Sequence, residues 1–267
     1  MAQDSTFDVE IVVVSTSGDR DKVTPLHEIG GKGIFVKEVQ AAVLDGRADI
    51  AVHSAKDMPA VSPNELVLGA VPQRGNPHDV LVGSRLTDLA PEARVATGSV
   101  RRRAQLARLR SDLDFHELRG NIATRLAKAT DFDAIVMAAV ALERLGMFPE
   151  IVEEIPAAQM VPQVGQGALA IECRANDEAT RTSLQTIDHA DSHRVFLCEQ
   201  AFLRELGGDC SLPAGAHAEL VGNELTISGF LASEDLCDSR QQQLSGTDGQ
   251  ALGQQLAMQL RLALPGA

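Results

Sequence analysis

The chain has 267 residues, 44% of them hydrophobic, with a formal net charge of −13 and a pI near 4.9. That length holds one large domain or two to three small ones with a buried core, and an acidic balance of this size disfavours nucleic acid and anionic membrane as partners. There is no Trp and no Tyr, hence no aromatic platform for stacking single strands.

The opening residues carry neither a basic stretch nor an apolar run of the kind that marks secretion, and no apolar run is long enough to span a bilayer. Residues 8–15, Asp-Val-Glu-Ile-Val-Val-Val-Ser, have the β-branched content of a strand. Gly30-Gly-Lys-Gly33 suits a mobile loop feeding a helix; without a Walker or GxGxxG pattern it is not read as a phosphate cradle. Residues 35–46 are helical, with Phe35, Val36, Val39, Val43 and Leu44 on one apolar face. Ala48–His53 is the next strand. This strand–helix–strand order predicts an α/β fold with parallel pairing. The strand lies within Ile50-Ala-Val-His-Ser-Ala-Lys-Asp-Met-Pro59, which breaks from apolar to charged at Lys56 and Asp57. Taken alone, a Lys-Asp dipeptide is a weak solvated ion pair; at the end of a buried strand it stands where scaffolds present chemistry.

Val67–Val71, Val80–Gly83 and Arg94–Thr97 are further strands. The last runs into Gly98-Ser99 and a helix from Val100 to about Arg110, an opening that offers backbone N–H groups to an anion. Leu113–Leu118 is a strand, Arg119-Gly-Asn121 turns into a helix holding Arg125, and Ala134–Val140 is a buried strand followed by a helical turn with Arg144. Residues 101–128 hold eight basic and three acidic side chains, a local +5 in an acidic chain. Arg108 and Arg110 read as a solvated face. Arg101, Arg102, Arg119 and Arg125 each sit just past a strand's C-terminal end, the ligand side of an open α/β sheet. Arginine suits bidentate carboxylate or phosphate binding, so the pattern points to a small polyanion.

Residues 160–173 form a Pro/Gly-punctuated crossover and a strand, suited to a chain returning from one α/β lobe to another. Residues 189–206 are an amphipathic helix closed by Gly207-Gly208. After a loop come strands His217–Val221 and Glu224–Leu231 around a Gly222-Asn223 turn, a third near Gln242–Ser245, and a helix over about Gln250–Leu264. Strands without βαβ alternation indicate a separate α+β domain. The four cysteines show no CxxC pair and no zinc-finger spacing; no metal site is expected, and the thiols read as reduced and cytoplasmic. Cys173 and Cys198 lie in apolar periodic segments and read as core. Cys210, on a loop between glycines and a proline, leaves covalent chemistry and an ordinary exposed thiol equally open.

Five stretches together resemble the porphobilinogen deaminase (hydroxymethylbilane synthase) family: His53-Ser-Ala-Lys-Asp-Met-Pro59, Thr97-Gly-Ser-Val-Arg-Arg102, Leu118-Arg-Gly-Asn-Ile-Ala-Thr-Arg125, Val164-Gly-Gln-Gly-Ala168 and Gly208-Asp-Cys-Ser-Leu-Pro213. They occur in the family's order and cover nearly the whole chain. The resemblance implies two α/β lobes like type II periplasmic binding proteins, 1–72 with 168–186 and 73–167, and an α+β domain, 187–267, that anchors a cofactor. It implies a transferase of tetrapyrrole and haem biosynthesis that joins four porphobilinogen molecules head to tail and releases ammonia, working as a cytoplasmic monomer. Its cofactor is dipyrromethane, attached by motif to Cys210. By matching position Asp57 is the catalytic carboxylate. Lys56, Ser99, Arg101, Arg102, Arg125 and Gln166 hold the cofactor. Arg119, Arg125, Arg144 and Phe35 face the substrate, Phe35 from a mobile loop.

Each pyrrole carries an acetate and a propionate, so two cofactor and four substrate rings gather twelve carboxylates, which accounts for the local +5. Three departures stand out. The chain opens at what matches the family's second strand, and the preceding strand and helix have no counterpart, which implies impaired activity or stability. Gly98 stands where a hydroxyl residue is common, and Asp209 where Gly is common. The rival readings are a non-catalytic two-lobed binding protein for a small polycarboxylate, which leaves Cys210 and the Lys-Asp pair unexplained, and a truncated, inactive deaminase. A nucleic-acid binder fits the acidic charge least.

Overall fold

A computed structural model describes residues 8–16, 36–208 and 212–264. Within them the strands form three sheets.

The first sheet centres on β8 (Leu169–Arg174), whose inner four residues are all buried. Both its neighbours, β1 (Ile50–Ser54) and β2 (Leu66–Ala70), run antiparallel to it. The register opposes Ala51 to Glu172 and His53 to Ala170, which sets His53 and Glu172 on one face because side chains alternate along a strand. Helix α1 (Lys37–Leu44) covers that face with Gln40, Ala42 and Val43, and Gln40 Nε2 donates to Glu172 Oε2 at 2.8 Å.

The second sheet has the order β5-β4-β6-β3-β7, from β3 (Asp79–Val82), β4 (Arg94–Ala96), β5 (Asp114–His116), β6 (Ala134–Ala138) and β7 (Val152–Ile155). Strand β4 is parallel to β5 and β6, whereas β3 runs antiparallel between β6 and β7. The run Ala-Ile-Val-Met-Ala of β6 is buried throughout, as a strand covered on both faces requires. Helices α2 (Val100–Leu109) and α3 (Ile122–Ala127) follow β4 and β5; α4 (Ala139–Leu145) follows β6 and ends on Gly146 in the left-handed region, φ +61°.

The third sheet is the meander β9 (Ala214–Val221), β10 (Glu224–Ala232) and β11 (Ser239–Gly246). Helices α6 (Ala190–Glu205) and α7 (Gly249–Ala263) pack on one side of it. Cys198 and Phe202, Leu252, Leu256 and Leu260, and Ala216, Leu225 and Ile227 make a shared core. An α-helix, α5 (Glu178–Leu184), links the first sheet to α6.

Several expectations need correction. Residues 8–16 have no regular secondary structure, and Val9, Ile11 and Val13 are exposed; β-branched content is a context-dependent signal and does not by itself make a strand. Among the described residues, parallel pairing holds only among β4, β5 and β6. The strand expected to reach Val140 stops at Ala138, where α4 begins. Strand β7 escaped notice because its two central residues are acids; Glu153 caps Leu86 N at 2.6 Å. Helix α5 was missed because it buries only Leu184. Arg108 is not simply solvated: it donates to Gln241 Oε1 at 2.5 Å and lies 5.7 Å from the Phe230 ring centre. Gly30–Gly33 lie outside the described residues. No described helix is long and apolar enough to cross a membrane.

Candidate active site

Strand β1 ends in one 3₁₀ turn, Ala55–Asp57, and the chain leaves it extended through Met58. The turn is held from the crossover: Ala55 N donates to Ala168 O at 3.1 Å and Gln163 Nε2 to Lys56 O at 3.1 Å. Gly165, φ +71°, packs so close that a Cβ would lie 2.8 Å from the Ala55 carbonyl carbon. Only glycine fits that contact and that dihedral together. Lys56 and Asp57 are half-buried and do not form an ion pair with each other, and the Asp57 carboxylate has no partner among the described residues. Burial raises its pKa, opposed by Lys56, His53 and Arg125. Burial lowers that of Lys56; Arg102 and Arg125 add to the fall, Asp57 and Asp79 oppose it. Burial disfavours the charged form of both side chains, so the dipeptide is not a freely solvated ion pair.

Behind the turn lies a buried ionic cluster. Asp79, at the head of β3, is fully buried. Its Oδ2 meets Arg101 Nη2 at 2.8 Å; its Oδ1 meets Arg102 Nε at 2.9 Å and Nη2 at 2.8 Å. Gln166 Nε2 donates to the same Oδ1 at 2.9 Å and to Pro77 O at 2.6 Å. Burial would push the Asp79 pKa up, but the two guanidinium groups and Gln166 hold it below the usual carboxylate range. Arg101 also donates to Val161 O at 2.7 Å, and Arg102 to Val136 O at 3.2 Å. Burial lowers the pKa of Arg101, with Asp79 opposing and Arg102 reinforcing. Ser99 is the N-cap of α2 and accepts from Arg102 N at 3.4 Å. A Cβ on the neighbouring Gly98 would lie 2.8 Å from Leu118 O, so a hydroxyl residue there requires that backbone to move.

Arg125, on α3, donates through Nε to Gly120 O at 2.7 Å. Burial lowers its pKa, reinforced by Arg102 and Arg119 and opposed by Asp57. Arg119 Nη1 is buried with no hydrogen-bond partner. The structure thus brings Lys56, Asp57, Arg102 and Arg125 together, with Arg119 joining them through Arg125. Arg144 is turned to the crossover, Nη2 to Gly167 O at 2.8 Å, with its residue exposed. Phe35 and Cys210 lie outside the described residues, as does Asp209. Cys173 and Cys198 are buried, as the apolar periodicity predicts, and burial pushes the Cys198 thiol up to about 12.

The sequence reading missed four charged residues around this centre. Asp79 had a signal: an acid heading a wholly apolar strand. Glu199 had one too, standing three and four residues after Phe196 and Val195 on the apolar face of α6. Glu172, buried in β8 and 3.0 Å from His53 Nε2, interrupts an apolar run in the same way. Arg74, which forks onto Glu199 at 2.6 Å and 3.2 Å, sits in a loop without any pattern.

Two guanidinium groups share one carboxylate, a third has a buried donor unsatisfied, and an unpaired acid stands beside them. That surplus of positive charge fits a ligand bearing several carboxylates, and it fits the acetate- and propionate-bearing dipyrromethane in particular. A centre of this kind, on an α/β scaffold, belongs to a protein that handles a small polycarboxylate. Comparison with known sequences makes this specific. Residues 1–182 match the family described as "Porphobilinogen deaminase, dipyromethane cofactor binding domain", and residues 194–261 the "Porphobilinogen deaminase, C-terminal domain". Porphobilinogen deaminase of Syntrophobacter fumaroxidans is 42% identical over 94% of this chain and 84% of its own length. That of Syntrophus aciditrophicus is 43% identical over 94% and 85%. The chain belongs to the porphobilinogen deaminase family, a family of enzymes. Among solved structures, the reduced OxyR regulatory domain from Pseudomonas aeruginosa aligns over 57% of this chain and 75% of its own, at 17% identity and a TM-score of 0.34, too slight a likeness to carry an argument.

Proposed function

We propose that the chain polymerises four porphobilinogen molecules into hydroxymethylbilane, releasing one ammonia at each addition, with Asp57 as the catalytic carboxylate. The observation that carries the assignment of Asp57 is that, among the described residues, its carboxylate has no hydrogen-bond or ion-pair partner although Lys56, His53 and Arg125 all act on it. In each cycle the aminomethyl C–N bond of porphobilinogen breaks and ammonia leaves. A C–C bond forms to a pyrrole carbon, and that carbon gives up its proton. Asp57, ionised, stabilises the cationic methylene group left by ammonia and then takes the pyrrole proton; such a positioned acid–base group contributes about 10²–10⁴ in rate. Its raised pKa suits it to hold that proton and release it before the next cycle.

Arg119 and Arg125 bind the substrate's acetate and propionate groups as bidentate partners. Arg101, Arg102, Lys56, Ser99, Arg125 and Gln166 frame the site of the dipyrromethane, Arg101 and Arg102 held there side by side on Asp79. Dipyrromethane, when attached to Cys210, supplies the pyrrole terminus from which the chain grows. Arg144 and Phe35 are assigned to the substrate by motif position. The three sheets support the division into 1–72 with 168–186, 73–167 and 187–267. The acidic charge supports a monomer without nucleic-acid or membrane partners, and the family and the reading of the cysteines as reduced thiols support the cytoplasm.

The test is Asp57→Ala. Ammonia release from porphobilinogen falls by about 10²–10⁴ with the fold retained. Turnover near that of the unaltered chain removes Asp57 from the mechanism.

A further inference from the structure

Glu199 is the most fully engaged carboxylate among the described residues. It projects from α6, which belongs to the third sheet, and is wholly buried. Its Oε1 accepts from Arg74 Nη1 at 2.6 Å and from Ala218 N at 2.9 Å; its Oε2 accepts from Gly165 N at 2.7 Å and from Arg74 Nη2 at 3.2 Å. Arg74 has a third use. Its Nε donates to the backbone oxygen of Gln166 at 2.8 Å, and its own N–H donates to Ser192 Oγ at 3.0 Å.

Gln166 is thus held on both sides. Glu199 fixes the residue before it, and Arg74 fixes its own carbonyl. The segment needs this, since Gly165 and Gly167 have φ of +71° and +89° and the crossover makes no ladder of its own. The backbone so held aims the Gln166 side chain at Asp79, and Asp79 in turn fixes Arg101 and Arg102. One continuous path of hydrogen bonds runs from the helix of the C-terminal unit to the arginines of the basic site.

We propose that Arg74 and Glu199 are positioning residues for polycarboxylate binding: the fork between them locks Gly165–Gly167 so that Gln166 and Asp79 present Arg102 in its binding geometry. The inference rests on the function proposed above. It differs from a purely structural ion pair in one respect. A pair that only joined two units would need the Arg74–Glu199 contact, whereas this one also needs the Nε–Gln166 contact. Lysine supplies a point charge to Glu199 but not the planar fork that serves carboxylate and carbonyl together.

The experiment compares Arg74→Lys with the unaltered chain, well below the melting temperature of each. Porphobilinogen titrations give KM and kcat, and intact mass gives the fraction of chains carrying a dipyrrole. The expected result is a KM raised about tenfold with kcat within about threefold, the pattern of lost binding, together with a lower dipyrrole fraction. If Arg74→Lys does not fold, Glu199→Gln is read in the same way. A lowered melting temperature with KM and dipyrrole fraction unchanged overturns the positioning role and leaves a structural pair. An unaltered chain that is folded but has no dipyrrole and no turnover overturns the functional reading, and this inference with it.

Discussion

Asp79→Asn tests the buried cluster most severely. The carboxylate is fully buried and meets two guanidinium groups at 2.8–2.9 Å. Asparagine keeps the shape but leaves Arg101 and Arg102, themselves buried, facing each other without a counter-charge. Breaking a buried pair by removing one partner costs about 3–5 kcal/mol. At about 2–4 °C per kcal/mol for a chain of this size, the melting temperature should fall by about 10 °C. Calorimetry or thermal circular dichroism at neutral pH reads this directly. Asp112→Asn is the control. That residue also pairs with an arginine, Arg110 at 2.8 Å, but in the open, and its loss should leave the melting temperature unchanged. The deficit should depend on pH in a definite sense. The Asp79 pKa is lowered in the folded state, so its contribution is present above the ordinary carboxylate range and is lost as pH falls through the depressed value. The gap between Asp79→Asn and the unaltered chain should therefore narrow on acidification. A melting temperature within about 2 °C of the unaltered chain, indistinguishable from the control, would refute the reasoning.

Glu199 has its pKa held at about 2 against an ordinary 4.5, burial raising it and Arg74 and His217 more than reversing that. By linkage it contributes about 3 kcal/mol above pH 4.5, lost as pH falls from 4.5 to 2, so Glu199→Gln should flatten acid unfolding in that window; an unchanged acid profile counts against this. Arg119→Met removes a buried unsatisfied donor, which costs about 1–3 kcal/mol where it is left unmade. Compared without dipyrrole, the variant should melt higher than the unaltered chain, and carrying dipyrrole it should show a raised KM; a lower melting temperature would show Arg119 to be a structural residue. Gly165→Ala forces a Cβ to 2.8 Å from the Ala55 carbonyl carbon at φ +71°, and should cost about 1–3 kcal/mol with loss of turnover, whereas a neutral result would mean the Asp57 turn is not held from the crossover. Because burial raises the Asp57 pKa, the acid limb of kcat should lie above 3.8, and a limb below that value would exclude Asp57 as its source.

Much of the architecture was legible because hydrophobic periodicity is a local signal. The apolar stripe of α6, the run of β6 and the strands around Gly222 all appear where the pattern places them. What was not legible depends on partners distant in sequence. Residues 8–15 have strand composition but form no regular strand, and the direction of β8 between β1 and β2 is set by the crossover, not by its own residues. The same division runs through the site. Lys56, Asp57 and the arginines were found because they end predicted strands or begin helices. Arg101 was expected to face ligand directly, yet its partner Asp79 lies 22 residues upstream. Nothing near Arg101 foretold that pairing. Arg74 has no local pattern at all; its meaning comes from Glu199, 125 residues away.

The proposed function requires that a pyrrole oligomer grow on Cys210 with Asp57 as the acting carboxylate. Intact mass spectrometry of the purified protein, before and after brief exposure to porphobilinogen, tests it most directly. The expected mass lies above that of the sequence by one dipyrrole, with a ladder of further pyrrole increments on exposure, and neither in Cys210→Ser. A folded chain at the bare sequence mass, which gains no increments and releases no ammonia, would contradict it.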